Sequence, residues 1–264
     1  MDVVDLIAKT RSGVAQVLIE RKGEIIGAGS GFLTKAGLAT CSHCIRDGDY
    51  DAALIKFERI SPDDSEKFIR LIPKDNIVIE SPQVDKDYVI LKLENEEVHG
   101  RHVFEFIEAE TKLSVGEQAL FIGYPFGMKN LTAHLGYISS IHEKEGIEII
   151  QIDGSVNGGN SGGPLLELRT GTVAGIVTRA ITGLIEKQFL SLIDTLKRNK
   201  EILLASKVIM KIGGIDLIQA LAASQAAMEQ IAKDLHRSAN VGIGYAYSSK
   251  YMSDNFIRIN SERN

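Results

Sequence analysis

The chain reads Asn-Gly-Gly-Asn-Ser-Gly-Gly-Pro over Asn157–Pro164, which places one serine, Ser161, inside a glycine-rich turn. Glycines permit positive φ and close backbone approach, so successive N–H groups can converge in front of the Ser161 hydroxyl. An oxyanion hole requires such donors, because a tetrahedral intermediate carries charge on the former carbonyl oxygen. We assign the candidate hole to Gly159, Asn160 and Ser161, with the N–H groups of Gly159 and Ser161 as donors. The alternative, an ordinary Asn/Gly hairpin turn, rarely carries this run between two apolar strand-like segments.

A serine hydroxyl is a weak nucleophile unless a base removes its proton, so a histidine and a carboxylate are needed. His43 lies upstream in an apolar segment that reads as the end of a strand. Asp87 opens the apolar run Asp87–Leu93, which predicts a strand buried on at least one face. Taken singly, His43 is typical of a structural histidine and Asp87 of a strand-start acid. Asp85 is the rival acid, but the apolar run begins directly after Asp87.

The three candidates follow one another in the order His43, Asp87, Ser161, which is the chain order of the chymotrypsin arrangement. With that order the chain resembles the trypsin-like serine proteases, and most of all their HtrA/Deg branch, which lacks a zymogen N-terminus. The matching segments are Gly29–Phe32, Thr40–Cys44, Asp87–Leu93, Gly123–Gly127 and the Ser161 turn. The resemblance covers roughly residues 12–182.

The resemblance implies an all-β fold, a chymotrypsin-like double β-barrel. It implies that Ser161 is the nucleophile, that His43 is the general base and later the general acid, and that Asp87 fixes the imidazole tautomer. We expect the first barrel over about residues 14–95 and the second over about 110–182, with the site in the crevice between them. The protease domain then spans residues 1–182, and residues 183–264 form a C-terminal extension.

The resemblance also predicts where a peptide binds. The residues after the nucleophile turn, Thr178, Arg179 and Ala180, resemble the strand that pairs with substrate, and Ser155 is expected near the floor of the specificity pocket. No acid occupies that floor, and a neutral floor cannot compensate a buried Lys or Arg head. We therefore expect small or medium aliphatic side chains before the scissile bond. Arg179 is equally well explained as a solvated strand residue.

The pattern of apolar residues changes period after residue 183. Intervals of three and four recur, break at Gly213 and Gly214, and then resume, which predicts a helical hairpin. The following stretch, Val241–Tyr247, is rich in glycine and tyrosine, and a surface strand, a flexible tail and a peptide ligand all stay open. HtrA-type members often carry a PDZ domain here, but this segment is too short for one. Residues 207–264 are the candidate surface for a homo-oligomer or a partner protein.

Composition and charge favour a peptide or protein substrate. The 264 residues are 44% hydrophobic and 25% charged, which is ordinary globular composition. The net charge of −5 argues against a general nucleic-acid or anionic membrane surface, because phosphate binding depends on clustered Lys and Arg. The acidic start of the chain differs from a secretory signal, and no apolar span approaches membrane length, so we expect a cytoplasmic protein.

The chain holds two cysteines, Cys41 and Cys44. Their spacing within a presumed strand is poor for a disulfide, and reduced thiols fit a reducing compartment. The Cys-Ser-His-Cys run suggests zinc, but no second ligand pair lies at finger-like spacing, so we favour a buried apolar role and expect neither a metal nor a cofactor.

Two functional classes remain. The first is a serine endopeptidase that acts through an acyl-enzyme, on a dedicated protein rather than in general quality control. The second is a catalytically silent trypsin-like fold that binds peptides or serves as a scaffold, since a fold alone does not establish activity.

Overall fold

The computed structural model describes residues 2–46, 50–59, 68–81, 86–108, 111–178, 183–206, 210–238 and 242–252. Three residues named above, Asp85, Arg179 and Ala180, lie outside these ranges. The chain divides into two compact units, one built from residues 1–180 with 240–264 and the other from residues 181–239.

The strands are, in chain order, β1 (Val14–Arg21), β2 (Glu24–Thr34), β3 (Gly37–Thr40), β4 (Ala52–Phe57), β5 (Ile69–Leu71), β6 (Ile77–Glu80), β7 (Val89–Leu91), β8 (Gln118–Gly123), β9 (Thr132–Lys144), β10 (Ile147–Asp153), β11 (Pro164–Glu167), β12 (Val173–Thr178), β13 (Lys211–Ile212), β14 (Ile215–Asp216) and β15 (Ile243–Ser248). The helices are α1 (Val3–Thr10), α2 (Ser42–Arg46), α3 (Pro73–Asn76), α4 (Asn95–Val98), α5 (Gly183–Ala205) and α6 (Leu217–Ser238), with short 3₁₀ turns at Arg11–Gly13 and Pro125–Gly127.

The first half of the larger unit is a seven-stranded antiparallel sheet with the order β5-β4-β1-β2-β3-β7-β6. The residues of β1, β4 and β7 that face one side of this sheet recur with the strand period of two. They form one apolar cluster that includes Val17, Leu38, Ile55 and Leu91, all fully buried. This sheet carries β3 and β7, the strands that lead to His43 and away from Asp87.

The second half is a closed six-stranded barrel with the order β10-β15-β12-β11-β8-β9. Ile150, Leu165, Val177 and Ala246 fill its interior. A separate cluster, with Phe32 and Ile90 from the first sheet and Ile122 and Ile176 from the barrel, packs the two halves together. The all-β, chymotrypsin-like prediction is confirmed, and the two halves meet at β12 and the turn that carries Ser161.

Closure of the barrel depends on β15, which the sequence analysis had placed in a C-terminal extension. β15 pairs with β10 on one side and with β12 on the other, at Ile150↔Ala246 and Ile176↔Tyr247. It therefore removes two strand edges that would otherwise be open. The second barrel thus extends beyond the expected limit of residue 182, and the glycine- and tyrosine-rich stretch is a barrel strand. The physical reason is pairing between segments about 70–100 residues apart, which no local pattern reveals.

The smaller unit confirms the predicted helical hairpin. Helices α5 and α6 pack together through Leu196, Ala222 and Ala232, and the short β13-β14 ribbon connects them. Gly213 and Gly214 turn this ribbon at φ of +57° and +82°, a region that glycine enters at little cost. The Asp216 carboxylate accepts the N–H groups of Ile218 and Gln219 and so caps the start of α6.

One ion pair joins the two helices, and a second lies within α6. Glu229, buried at the interface, accepts hydrogen bonds from Lys200 of α5 and Lys233 of α6 at 2.6 Å each. These two bonds lower the pKa of the Glu229 carboxyl to about 2. By connectivity, the hairpin is an insertion between β12 and β15, two adjacent strands of one barrel. Within the described ranges, no helix combines the length and apolar character needed to span a membrane.

The insertion predicts opposite outcomes for two deletions. Truncation after Ala205 removes β15 and should unfold the protein, because a domain has only about 5–15 kcal/mol of stability to lose. Replacement of residues 183–238 by a short Gly/Ser linker should preserve the fold, because Thr178 and Tyr245 are paired neighbours and loop closure costs little. Circular-dichroism melting measures both. Equal melting temperatures for the truncated and full-length chains would show that β15 is dispensable.

Candidate active site

The segment that carries His43 is held against the segment that carries Asp87. Ser42 starts α2, and its hydroxyl lies 2.6 Å from the Ser81 carbonyl oxygen and 2.8 Å from that of Tyr88. Its N–H donates to the Asp87 carbonyl. Ser42 is fully buried, so these bonds satisfy its polar groups and fix the helical turn against β7.

Asp87 accepts three hydrogen bonds through its carboxylate. Oδ1 accepts the backbone N–H of His43 at 3.0 Å, and Oδ2 accepts His43 Nδ1–H at 2.7 Å. The Thr178 hydroxyl donates to Oδ2 at 3.1 Å. Asp87 is 2% exposed and has a φ of +46°, a left-handed conformation that aspartate tolerates better than most residues. The bond to Nδ1 fixes the imidazole tautomer that leaves Nε2 as an acceptor.

The charge state of His43 depends on two neighbours. Burial lowers its pKa, but the hydrogen bond to Asp87 and the contact with the Cys44 thiol outweigh burial and raise the pKa to about 10. Cys44 Sγ lies 3.7 Å from His43 Nε2. Interactions with Cys41 and His43 lower the pKa of Cys44 to about 6, although burial opposes them. The sequence analysis did not anticipate this thiol beside the imidazole.

The glycines of the Ser161 turn adopt the conformations that the sequence suggests. Gly159 has a φ of +97° and Gly162 a φ of +89°. A Cβ on Gly159 would lie 2.3 Å from the Tyr124 carbonyl oxygen, and one on Gly162 would lie 2.1 Å from that of Ser30. The backbone is therefore packed too closely for any side chain at either position. Gly158 has open space around it.

Two residues outside the turn orient its peptide groups. The Phe126 N–H donates to the Gly158 carbonyl, which directs the following Gly159 N–H to the opposite side. The Ser30 hydroxyl donates to the Gly159 carbonyl at 2.6 Å, and the Ser30 N–H donates to the Ser161 carbonyl at 2.8 Å. The Gly123–Gly127 segment, singled out in the sequence only as a matching stretch, thus contributes to the shape of the turn.

These bonds leave two donors available. Among the described residues, the N–H groups of Gly159 and Ser161 have no hydrogen-bond acceptor, whereas the N–H of Asn160 donates to the Asn157 carbonyl. Two unoccupied N–H groups beside a serine hydroxyl form an arrangement that can bind an oxyanion. Asn160 belongs to the predicted hole by position, but its own N–H is used inside the turn.

Ser161 lies in the same region as His43, without a direct hydrogen bond to it. Cys44 Sγ lies 3.6 Å from the Ser161 carbonyl oxygen, and the same sulfur contacts His43 Nε2. Within the described part of the chain, the Ser161 hydroxyl makes no hydrogen bond, and its residue is 5% exposed. Catalytic hydrogen bonds are often long in unliganded enzymes and tighten when substrate binds.

Of the residues expected around the specificity pocket, Thr178 is buried and Ser155 is exposed. Thr178 is buried with its hydroxyl on Asp87, so its side chain supports the acid. Ser155 is exposed, and the next residue, Val156, is buried against Gly244, where a Cβ would lie 2.2 Å from Val156 Cγ2. In the sequence, Val156 could have been found near the expected pocket from its position five residues before Ser161. Gly244 had no local signal, because its strand joins the barrel from a distant part of the chain.

Cys41, His43 and Asp87 have potential metal-ligand atoms within 4.8 Å of one another. Their polar atoms are already engaged, because Asp87 is bonded to His43 Nδ1, and the fully buried Cys41 thiol donates to the Val177 carbonyl at 3.3 Å. A metal ion at this position would have to displace these hydrogen bonds.

A seven-stranded sheet that supplies a His–Asp pair, packed on a closed six-stranded barrel that supplies a glycine-rich serine turn, defines a trypsin-like protein. The family model described as "Trypsin-like peptidase domain" matches residues 29–176. The chain therefore belongs to the trypsin-like peptidase family.

Relatives within this family are of the Deg and HtrA type. The chain is 34% identical over 187 residues to "Protease Do-like 5, chloroplastic" of Arabidopsis thaliana, a match that covers 67% of this chain and 55% of that protein. The Deg5 crystal structure matches with a TM-score of 0.53 and 27% identity, over 67% of this chain and 84% of that one. The serine endoprotease from Yersinia pestis shares the fold, with a TM-score of 0.54 and 22% identity over 69% and 58%. The chain thus spans about half the length of the plant relative.

The packing of Gly159 predicts a sharp difference between neighbouring glycines. Gly159→Ala should lower the free energy of unfolding by more than about 1–2 kcal/mol, the cost of a left-handed conformation alone, because its methyl group also meets the Tyr124 carbonyl. Gly158→Ala, with open space and no positive φ, should stay within about 0.5 kcal/mol. Urea unfolding of both variants provides the comparison. Equal losses in the two variants would contradict the geometry described for the turn.

Proposed function

We propose that the protein is a serine endopeptidase in which Ser161, His43 and Asp87 form the catalytic triad. The observation that carries this proposal is the 2.7 Å bond between His43 Nδ1 and Asp87 Oδ2, formed in a buried site. It fixes the tautomer in which Nε2 can accept a proton. A structural histidine would need no such carboxylate and no adjacent glycine turn with two available N–H groups.

In the proposed mechanism, His43 Nε2 accepts the Ser161 proton as Oγ attacks the peptide carbonyl. The N–H groups of Gly159 and Ser161 then bind the oxyanion, a contribution of several kcal/mol for such donors. His43 protonates the leaving amine, which yields the acyl-enzyme and a free amino terminus. Water, deprotonated by His43, hydrolyses the acyl-enzyme and regenerates the Ser161 hydroxyl. Asp87 stabilises the imidazolium in both stages, and Thr178 supports the carboxylate.

We propose a protein substrate with a small or medium aliphatic residue before the scissile bond. The buried Val156 and the absence of an acid at exposed Ser155 support a neutral pocket. Arg179 and Ala180 complete the proposed substrate-binding strand. We also propose a dedicated substrate, a cytoplasmic location and assembly with a second copy or a partner protein through residues 207–264. The two free cysteines support a reducing compartment, although the plant relative is named as chloroplastic.

One observation favours the alternative, a silent peptide-binding module. His43 Nε2 contacts Cys44 Sγ, and the Ser161 hydroxyl makes no hydrogen bond among the described residues. An active enzyme must bring Nε2 and Oγ together when substrate binds, whereas a binding module need not.

A serine-directed probe separates the two functions. A fluorophosphonate should label the wild-type protein at Ser161, and Ser161→Ala and His43→Ala should lower kcat/KM on Val- or Ala-containing peptides by at least about 10⁴-fold. Ser191→Ala, on the exposed part of α5, is the matched control and should behave as wild type. Matched peptides with Lys before the scissile bond should be cut more slowly. An unlabelled wild-type protein with no turnover would support the silent module.

The pKa of His43 predicts the pH dependence of the reaction. Only neutral His43 can accept the Ser161 proton, and its pKa is raised, so kcat/KM should increase with pH through a midpoint above the usual value of about 6.5. Cys44→Ala removes one of the contacts that raise this pKa, so the midpoint should move to lower pH. Rates measured from pH 5 to 11 test both statements. An unchanged midpoint in Cys44→Ala would show that the thiol does not influence the base.

A further inference from the structure

The two cysteines lie on one helical turn, a different setting from the strand expected from the sequence. Cys41 directly follows β3, and Cys44 lies in α2, with its N–H donating to the Cys41 carbonyl at 3.1 Å. The two thiols interact electrostatically, and each shifts the pKa of the other. Residues three apart on a helical turn face the same side, within the Cα separation of about 4.4–6.8 Å that a disulfide spans. The two cysteines are therefore spaced as a disulfide requires, unlike residues three apart in a strand.

The surroundings of Cys44 differ from those of an inert core cysteine. Its sulfur is 3.7 Å from His43 Nε2 and 3.6 Å from the Ser161 carbonyl oxygen. Gly29 lies against the same sulfur, since a Cβ built there would come within 2.8 Å of it, so the absence of a side chain at Gly29 leaves room for the thiol. Cys44 is partly exposed, whereas Cys41 is fully buried. Of the two residues, Cys44 is thus the more accessible to a small reagent.

We propose that Cys44 is a peroxide-reactive modification site, that Cys41 resolves it to an intramolecular disulfide, and that this oxidation switches off the adjacent His43. The consequence for activity rests on the proposed protease function, while the thiol chemistry does not. The oxidant is a hydroperoxide, with hydrogen peroxide as the simplest member.

The reaction balances in two steps. The Cys44 thiolate attacks one oxygen of hydrogen peroxide, the O–O bond breaks, and the departing hydroxide takes a proton and leaves as water. The Cys41 sulfur then attacks the sulfur of the Cys44 sulfenic acid, the S–O bond breaks, and the hydroxyl leaves with the Cys41 proton as a second water. Two thiols are oxidised to a disulfide, and one peroxide is reduced to two waters.

The two sulfurs have different surroundings that fit these two roles. Contacts with Cys41 and His43 lower the pKa of Cys44, so its thiolate is available near neutral pH. Burial raises the pKa of the Cys41 thiol, which keeps it protonated and unreactive towards the peroxide until a neighbouring sulfenic acid forms.

Oxidation affects His43 directly, because His43 lies between the two bridged residues. An oxygen on Cys44 Sγ would occupy space next to Nε2, the atom that must receive the Ser161 proton. Disulfide formation then closes a ring around the turn that positions the His43 N–H and Nδ1 on Asp87. Each product removes the geometry required for proton transfer, and thiol reduction restores it.

Two independent measurements test the proposal on the full chain. After treatment with hydrogen peroxide, intact-mass analysis should show the loss of two hydrogen atoms, and fluorophosphonate labelling of Ser161 should fall by about tenfold or more. Dithiothreitol should restore both the mass and the labelling. Cys44→Ala, compared with its own reduced form, should keep its labelling in peroxide. Cys41→Ser, which retains a hydrogen-bond donor to Val177, should gain oxygen at Cys44 without forming a disulfide.

Methionine oxidation provides an internal control, because it adds oxygen to the five methionines and does not respond to dithiothreitol. The proposal is overturned if no disulfide forms, if the disulfide leaves labelling unchanged, or if Cys44→Ala is inactivated as strongly as wild type. Failure of the protease function has a different signature. The reduced wild-type protein would then not label at all, while the mass measurement would still decide whether the cysteines react.

Discussion

A buried carboxylate, that of Asp87, constrains the arrangement of the whole site. An ionised carboxylate without water is strongly unfavourable unless donors surround it, and removal of one donor leaves an uncompensated charge. The donors come from His43 on α2 and from Thr178 on β12, which belong to the two halves of the larger unit. Satisfaction of one charge thus fixes the positions of the base, the first sheet and the barrel together.

The shape of the serine turn depends on close packing at its glycines and on hydrogen bonds that orient its carbonyl groups. Gly159 and Gly162 approach neighbouring carbonyl groups so closely that no Cβ fits, and both hold positive φ. Close packing alone would leave the peptide planes free to rotate. The bonds from Phe126 and Ser30 fix the orientation of the carbonyls, and the remaining N–H groups then face away from them. A residue of β2 and a residue of the Pro125–Gly127 turn, one from each half, therefore shape the short serine turn.

The helical insertion shows how a compact barrel accepts a long additional segment. Strands β12 and β15 are hydrogen-bonded neighbours, so the chain leaves and re-enters the barrel at adjacent points. The entropy of loop closure grows only slowly with loop length, and the inserted helices bury their own apolar residues against each other. The insertion follows Thr178, a residue bonded to Asp87, which links it by connectivity to the site.

The sequence by itself determined the features that depend on local patterns. The glycine spacing around Ser161 predicted the turn, the apolar run after Asp87 predicted β7, and the interval of three and four predicted α5 and α6. The order His43, Asp87, Ser161 then suggested the fold through resemblance. Each of these signals lies within a few residues of the feature that it predicts, because helix and strand periods and turn conformations are local properties.

Only the tertiary structure decided the features that depend on distant contacts. It paired β15 with β10 and β12, directed the Thr178 hydroxyl to Asp87 and placed Cys44 beside His43 Nε2. It also placed the Phe126 N–H on the Gly158 carbonyl, which orients that peptide group. The physical reason is that strand pairing and buried hydrogen bonds join residues far apart in the chain. The sequence around a hydrogen-bond donor or a strand edge does not identify the distant residue that will pair with it.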